Sequence, residues 1–437
     1  MRYPEAIQFL YDLQLHGLKL GLENTRRLAA LAGNPHERLR FIHVAGTNGK
    51  GSTCAMLESV FRAAGQRVGL FTSPHLVSFG ERIQVHRCPM SESEVVAGVT
   101  AMKRLLADFP GDHPPTFFEV VTVMALRHFA AAGCDLVIWE TGMGGRLDAT
   151  NIVTPLASVI TNIAFDHERW LGHTLDQIAR EKAGIIKPGV PVITGADAPE
   201  ALRVIRSAAA DAGADLVEVA EKDLHGPPLD QISLPLLGDH QRRNAAVAVA
   251  TARRLASVLP VSAEAITTGL RNVWWPGRLQ VVHGQNGQVN LVDGAHNPAG
   301  VAALVAALER HFPGQRPALI FGALEDKDWR AMCRALLPVA KSACLVPVAS
   351  ARAATPEQLR SACEPHPAGC PVNVCHSLAE AFRLTRAEPF RLITGSLYLV
   401  GEALELLGAS ASPPRPERSL NEWAGRKFEG PAPVGGP

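Results

Sequence analysis

The chain has 437 residues, of which 47% are hydrophobic and 19% are charged, a balance typical of globular proteins. This length exceeds what one ordinary hydrophobic core accommodates, so two domains are expected. The 43 basic and 42 acidic residues give a net charge of +1. Bulk charge therefore gives no support to a nucleic-acid or acidic-membrane partner, and an anionic ligand would need a locally built site.

Cysteine usage and the absence of long apolar runs indicate the compartment. The eight cysteines are scattered and form no CxxC pair, which argues against a zinc site. The N-terminus carries no apolar signal core, and no apolar run reaches 18 residues. We therefore expect a cytoplasmic protein in a reducing compartment, without a membrane partner.

Two short helices are predicted within residues 4–33, followed by a strand at 40–45. The next stretch, 44–53, reads VAGTNGKGST and leads into an apolar-periodic helix that ends near Ala64. A strand, a glycine-rich turn and a helix direct backbone N–H groups at one point, where an anion is stabilised. Lys50 adds a mobile positive charge, so we predict a phosphate-binding loop for a nucleoside triphosphate.

This loop departs from the common phosphate-loop pattern in two ways. Gly46 and Gly49 enclose two residues instead of four, and Gly51 separates Lys50 from Ser52. The alternative interpretation is a glycine-rich turn that holds no ligand.

Alternating apolar strands and helices continue through the first half of the chain. Strands are predicted at 68–71, 134–139, 156–160 and 190–194, an edge strand at 81–86, and helices from 91, at 116–130 and at 174–183. This alternation indicates a parallel sheet that is covered on both faces.

Polar residues gather just after the ends of these strands, at Thr47, Ser73, Glu140 and His167. Ligands of open α/β sheets bind at the carboxyl ends of the strands, so one site is expected there. Glu140 occupies the usual place of an acidic Mg²⁺ ligand, whereas Ser73 and His167 are each weak candidates alone.

The second half of the chain repeats the α/β pattern after a break near 274–278. A small β excursion is predicted at 222–235, a helix at 238–256, and strands at 289–293, 317–321, 343–348, 371–375 and 391–394. We therefore predict a larger domain at 1–280 and a smaller doubly wound α/β domain at 281–409. The Pro- and Gly-rich tail at 410–437 is predicted to be disordered.

The loop 293–298 reads DGAHNP and joins a strand to a helix of the second domain. Asp293 and His296 at such a junction suggest a site between the two domains. The alternative is a helix cap by Asn297 with an incidental histidine.

Six motifs occur in order at 46–52, 72–76, 142–151, 166–167, 181–184 and 293–298. With these motifs, the chain resembles the folylpolyglutamate synthase/dihydrofolate synthase family of the Mur-ligase superfamily, from about residue 2 to 408. The family's own phosphate loop has the shortened glycine spacing. The resemblance implies an α/β fold with a P-loop parallel-sheet ATPase domain followed by a smaller doubly wound domain.

The resemblance also implies an ATP-dependent amide ligase. A carboxylate on the pterin-bearing substrate attacks the γ-phosphate, and the amino group of L-glutamate then displaces phosphate from the acyl phosphate. Catalysis of this kind depends mostly on positioning and on charge neutralisation. The implied small-molecule partners are ATP, L-glutamate, dihydropteroate and reduced folates. We expect a monomer, although the sequence itself does not reveal the oligomeric state.

The site residues implied by the resemblance fall into four groups. The catalytic residues are Lys50, Asp293, His296 and a carbamylated Lys182. The ATP-binding residues are Thr47, Asn48, Gly49, Lys50, Gly51, Ser52, Asn244, Arg278 and Asp293. The pterin-binding residues are Thr116, Phe117, Phe118, Glu119, Leu147, Asp148 and Ala149, and the metal ligands are Ser73, Glu140 and His167. The family pattern implies two Mg²⁺ sites and leaves room for a monovalent cation.

Three alternatives stay open at the level of sequence. The loop 146–151 favours an enzyme that acts on both dihydropteroate and reduced folates, but members restricted to tail extension carry similar loops. A cell-wall Mur ligase would act instead on a UDP-sugar peptide. A nucleotide-gated switch would hydrolyse ATP without dependence on glutamate.

Overall fold

The computed structural model describes residues 1–14, 17, 21–109, 114–284, 287–363, 369–410 and 416–421. Its first half contains α1 (Tyr3–Gln14), α2 (Glu23–Leu31), β1 (Phe41–Ala45), α3 (Lys50–Ala63), β2 (Val68–Phe71), β3 (Ile83–Val85), β4 (Cys88–Pro89), α4 (Glu92–Ala107), α5 (Phe117–Ala131), β5 (Leu136–Glu140), β6 (Ala157–Ile160), α6 (Glu168–Leu171), α7 (Leu175–Ala183), β7 (Val192–Thr194), α8 (Pro199–Asp211) and β8 (Leu216–Glu218).

Its second half contains α9 (Asp239–Arg254), α10 (Ala263–Arg271), β9 (Gln280–His283), β10 (Val289–Val292), α11 (Pro298–His311), β11 (Ala318–Phe321), α12 (Trp329–Leu336), β12 (Ser342–Leu345), α13 (Pro356–Cys363), β13 (Val372–Val374), α14 (Leu378–Leu384), β14 (Phe390–Thr394) and α15 (Leu397–Leu406).

The first sheet has the strand order β4-β3-β2-β5-β1-β6-β7-β8 in the described part of the chain. Six of these strands are parallel, and β3 and β4 add an antiparallel edge. The central strand β1 is buried along its whole length between β5 and β6. The predicted parallel sheet is therefore confirmed, and the phosphate loop leaves it at its centre.

Both faces of this sheet are covered, as the apolar strands predict. Ile42 and Val44 on β1 join a core with α3 and α9, while Phe41 joins the opposite core with α1, α4 and α5. In that second core the rings of Phe71 and Trp139 lie 4.5 Å apart. Side chains of a strand alternate between its faces, so one short strand anchors both layers.

The second sheet has the order β13-β12-β11-β14-β10-β9, and all of its neighbours are parallel except β9 and β10. The predicted smaller doubly wound α/β unit is confirmed. The edge strand β9 was not predicted from the sequence.

Two sequence predictions differ from the structure. Residues 222–235 contain two 3-10 helices, Glu221–Leu224 and Leu229–Gln231, instead of a β excursion. Pro227 and Pro228 lie between them, and proline cannot donate to a strand ladder.

The predicted disordered tail is also partly wrong, because Pro416–Asn421 forms a 3-10 helix. Leu420 of this segment is 1% exposed in the core of the first unit. Residues 411–415 and 422–437 lie outside the described residues. Among the helices that are described, none combines the length and apolarity of a membrane span.

Candidate active site

A cleft with a volume of about 460 Å³ runs between the two α/β units. Every site residue proposed from the sequence lines it. The lining includes the phosphate loop, the strand ends that carry Ser73, Glu140 and His167, and the loop with Asp293 and His296. These groups come from five separate stretches of the chain, so the fold brings together residues that the sequence suggested one motif at a time.

The phosphate loop is held open by glycine conformations and by its neighbours. Gly46 has a φ of 150° and Gly49 a φ of 82°, backbone angles that residues other than glycine rarely adopt. The loop N–H groups of Thr47 and Asn48 donate to the carbonyl oxygen and side-chain Oδ1 of Asn162, at 2.9 and 2.7 Å. Lys50 then starts α3, so the loop ends at a helix N-terminus, where phosphate is favoured.

Two lysines of the cleft meet at the loop. Lys50 Nζ donates to the carbonyl oxygens of Gly46 and Thr47, at 3.0 and 3.2 Å. Lys182 Nζ, on α7, donates to the same Gly46 oxygen at 2.8 Å. Burial, assisted by the charge of Lys50, lowers the pKa of Lys182 to about 7. A neutral amine is therefore populated at neutral pH, which an exposed lysine would not provide.

The proposed metal ligands lie at neighbouring strand ends. Glu140 closes β5 and is 3% exposed, and its Oε2 accepts from the Ser73 N–H at 2.9 Å. Burial raises the pKa of Glu140 to about 7, and the charge of Lys50 opposes that rise. Burial lowers the pKa of His167 to about 3, so its ring is neutral and can act as a ligand. The described residues contain no metal-binding group of three or more His, Cys, Asp or Glu side chains.

The proposed pterin-binding residues form one wall of the cleft. Thr116 caps α5 and makes a capping box with Glu119, whose Oε2 accepts from the Thr116 N–H at 2.7 Å. Asp148 accepts from the N–H groups of Met143 and Thr150, at 2.8 and 3.0 Å. Both carboxylates thus hold the wall in shape, since a buried carboxylate needs several donors.

The loop with Asp293 supplies the opposite wall. Asp293 accepts from the N–H groups of Leu279 and Ala295, at 2.9 and 2.8 Å, so its carboxylate braces this loop. Asn297 caps α11 through Gly300 N–H, as the alternative interpretation of this motif expected. Its amide also donates to Asn48 Oδ1 at 2.9 Å, and Asn48 Nδ2 returns a bond of 3.2 Å. The cap and the contact with the first domain therefore coexist.

Sequence analysis missed a buried ion pair beside these amides. Lys327 Nζ lies 2.6 Å from Asp166 Oδ1, and the two side chains are 8% and 7% exposed. Asn297 also donates to Asp166, at 3.0 Å. Burial would raise the pKa of Asp166, but His296, His167 and Lys327 together hold it well below its usual value. Asp166 belongs to one of the six motifs in the sequence, but the only signal for Lys327 was a polar run, 325–328, that follows β11 after three residues.

Comparison with known proteins places both units in one superfamily. Residues 44–252 match the model "Mur ligase middle domain", and residues 277–397 match "Mur ligase, glutamate ligase domain". A Bacillus subtilis dihydrofolate synthase/folylpolyglutamate synthase is 39% identical over 77% of this chain and 83% of that protein. A probable bifunctional folylpolyglutamate synthase/dihydropteroate synthase of Haloferax volcanii is 38% identical over 97% of this chain. The chain spans about half of that longer relative, 52%.

Solved structures agree with these matches. A Mycobacterium tuberculosis folylpolyglutamate synthase complexed with ADP has a TM-score of 0.85 and 29% identity, over 94% of this chain and all of that one. The Escherichia coli FolC structure in complex with DHPP and ADP has a TM-score of 0.82 and 34% identity, over 94% and 99%. The chain therefore belongs to the folylpolyglutamate synthase/dihydrofolate synthase family of Mur ligases.

Proposed function

We propose that this chain is an ATP-dependent ligase that joins L-glutamate to a pterin-bearing carboxylate. The main observation that supports this proposal is that one cleft contains a phosphate loop, an aromatic and polar wall, and a loop of the second domain. The similar Escherichia coli structure in complex with DHPP and ADP supports both a nucleotide and a pterin ligand. The favoured substrates are dihydropteroate, which gives dihydrofolate, and reduced folates, which gain a further glutamate.

The chemistry requires activation because a free carboxylate is a poor electrophile. A carboxylate oxygen of the substrate bonds to the γ-phosphorus of ATP while the bond to the ADP oxygen breaks. The glutamate nitrogen then bonds to the carbonyl carbon of the acyl phosphate, phosphate leaves, and the nitrogen loses its extra protons to solvent. Lys50 and the loop N–H groups would hold the phosphates and stabilise the charge during transfer. Asn244 and Arg278 would contact the nucleotide from the other side of the cleft.

The donor set at the strand ends fits Mg²⁺. Glu140 is a buried carboxylate whose pKa lies near 7, so a cation beside it would favour its ionised form. Mg²⁺ keeps several waters and uses few protein ligands, so Ser73, Glu140 and His167 suffice without a dedicated cage. When bound, the ion would neutralise negative charge on the triphosphate. A second Mg²⁺ and a monovalent cation stay predictions.

Lys182 is proposed to work as a carbamate. Its neutral amine can bond to the carbon of carbon dioxide and release a proton, which converts a buried cation into a carboxylate-like anion. An unmodified Lys182 would repel a nearby cation, whereas the carbamate would help to hold the second Mg²⁺. The pKa of about 7 supports this proposal because it leaves the amine reactive at neutral pH.

The deciding experiment measures glutamate-dependent ADP release with dihydropteroate and with tetrahydrofolate in parallel. Release with both substrates would support the bifunctional enzyme, and release with tetrahydrofolate alone would support the tail-extending alternative. Release with a UDP-sugar peptide, or hydrolysis that ignores glutamate, would overturn the proposal in favour of another Mur ligase or a switch. The domain limits of 1–280 and 281–409, a monomeric state and a cytoplasmic location stay predictions.

A further inference from the structure

The segment 416–421 crosses from the second α/β unit back to the first. Glu417 accepts from Tyr3 Oη at 2.9 Å and from the Phe79 N–H at 2.7 Å. Gln14 donates to the carbonyl oxygen of Ser419 at 3.3 Å. Arg418 pairs with Glu405 on α15, so the segment is fixed to both units.

Two residues of this segment reach the cleft. Leu420 and Asn421 both line it, together with Arg82, Phe117 and Gln14. Leu420 is 1% and Asn421 is 6% exposed, so both residues are buried in the wall of the cleft and do not lie on the outer surface of the protein. The wall they join is the one assigned above to the pterin substrate.

Asn421 also contacts a buried cation, the guanidinium of Arg82. Its Oδ1 accepts from Arg82 Nη2 at 2.5 Å, and its Nδ2 donates to the carbonyl oxygen of His75 at 2.9 Å. Arg82 Nε donates to His75 Nδ1 at 2.9 Å, and its guanidinium lies 5.4 Å from the centroid of the Phe117 ring. Arg82 itself is only 3% exposed.

The side-chain hydrogen-bond partners of Arg82 carry no charge, although the carboxylates of Glu81 and Glu140 act on its guanidinium at longer range. His75 Nδ1 accepts from Arg82, and its Nε2 lies 2.9 Å from the carbonyl oxygen of Glu417, which can only accept, so the ring carries a single proton on Nε2 and no charge. Among the described residues, the hydrogen-bond partners of Arg82 are this ring and the Asn421 amide. A buried guanidinium with neutral partners keeps its charge available to an electronegative atom in the cleft.

We propose that residues 416–421 complete the pterin end of the cleft, with Leu420 as wall and Asn421 as a positioning residue that holds Arg82 toward the substrate. This inference rests on the proposed function, since it assumes that a pterin occupies this end. Asn421 does not take part in the bond-making or bond-breaking steps of the reaction. It acts by fixing the direction of the Arg82 donors relative to Phe117.

The experiment is a double-mutant cycle in the full chain with Asn421→Ala, Arg82→Met and both changes together. Asn421→Ala should raise the KM for dihydropteroate about tenfold, as expected for one lost charge-assisted hydrogen bond. The KM for ATP should stay within about twofold, because the phosphate loop is untouched. In the Arg82→Met background, Asn421→Ala should have little further effect, since its target is gone.

Ser419→Ala is the matched control, because it removes a hydrogen bond of the same segment to Tyr11 Oη but none to Arg82, and the Gln14 bond to the Ser419 carbonyl oxygen survives. Leu420→Val tests the wall without removing a hydrogen bond, and should raise the KM for dihydropteroate about threefold. Melting temperatures establish that each variant is folded. Equal rises in both KM values, or additive effects of Asn421→Ala and Arg82→Met, would overturn the inference.

Equilibrium binding of dihydropteroate, followed by its fluorescence, separates this inference from the proposed function. A wild-type protein that binds the pterin but joins no glutamate to it would refute the ligase assignment alone. Weaker binding by Asn421→Ala would then still support the role of the segment, and unchanged binding would refute it.

Discussion

Lys50 Nζ and Lys182 Nζ both donate to the carbonyl oxygen of Gly46, at 3.0 and 2.8 Å. The two lysines lie on different helices and are 132 positions apart in the sequence. Burial lowers the pKa of Lys182 to about 7, and the repulsion between two ammonium groups at one carbonyl adds to that shift. The phosphate loop therefore connects the nucleotide site directly to the lysine that is proposed to be carbamylated.

Lys50→Ala should reduce glutamate-dependent ADP release by at least about 100-fold, because a preorganised cationic donor to the phosphates is lost. The fold should persist, as the side chain bonds only to carbonyl oxygens of its own loop. The rate and the far-ultraviolet circular dichroism spectrum are measured together. Lys222→Ala, which removes an exposed lysine outside the cleft, serves as the control. An active Lys50→Ala variant would contradict the phosphate-loop assignment.

Lys182→Met should abolish activity and yet stabilise the protein at pH 7 in buffer free of carbon dioxide. The pKa of Lys182 is about 7 in the folded state against a reference value of 10.5. Between these pH values the unfolded chain binds more protons, so wild-type stability rises as the pH increases. The advantage of Lys182→Met should be about 3 kcal/mol near pH 7 and should shrink toward pH 10.5.

Chemical denaturation of both proteins at pH 7 and pH 10 measures this difference. Added bicarbonate should stabilise the wild type and leave Lys182→Met unchanged, since only the wild type can form a carbamate. A stability gap that is the same at both pH values would show that the charge of Lys182 is not its origin.

Lys327→Ala should lower the free energy of unfolding by about 3 kcal/mol, because it leaves the buried Asp166 carboxylate without its closest cation. Activity should fall as well, since Asp166 contacts Asn297 and His296 of the opposite wall. Lys341→Ala is a matched control, as Lys341 pairs with Glu388 at the surface, with side chains 59% and 24% exposed. That change should cost less than about 1 kcal/mol. Equal losses in the two variants would contradict a special role for the Asp166 pair.

Gly46→Ala should eliminate activity through geometry alone. An added Cβ would lie 1.9 Å from Thr161 Oγ1, and the φ of 150° is rarely adopted by alanine. The loop must therefore shift away from the position in which it would hold phosphate. Gly65→Ala is the control, because its φ is 84° but no atom lies within 4 Å of its Cβ, so it should cost only about 1 kcal/mol. Binding of a fluorescent ATP analogue to both variants tests the difference.

The interior strands could be predicted because they are buried on both faces and read as continuous apolar runs. The edge strands β8 and β9 could not, since Leu216–Glu218 and Gln280–His283 are only partly buried and resemble loops in composition. The excursion at 222–235 was misread for a related reason. Weak helix signals do not distinguish a strand from the short 3-10 helices that flank a proline pair.

The residues of the cleft could be predicted where motifs lie at the ends of strands. They could not be predicted where two side chains far apart in the sequence contact each other. Asp166 and Lys327 are separated by 161 positions, and although Asp166 belongs to a motif, Lys327 alone resembles an ordinary surface charge. Asn421 lies 339 positions from Arg82, in a stretch whose composition suggested disorder. The composition of a segment indicates whether it can form a core by itself, but it does not reveal which distant residues will contact that segment in the folded protein.

The reciprocal amide pair of Asn48 and Asn297 has a consequence for turnover. This contact joins the phosphate loop to the second domain, so any opening that frees ADP must break both of its hydrogen bonds and return each amide to water. Product departure, rather than bond making, can then limit the rate when such contacts are strong. Neutral amides are weaker links than an ion pair. The buried Asp166–Lys327 pair crosses the same interface beside these amides, so it is the stronger of the two links that such an opening would have to break.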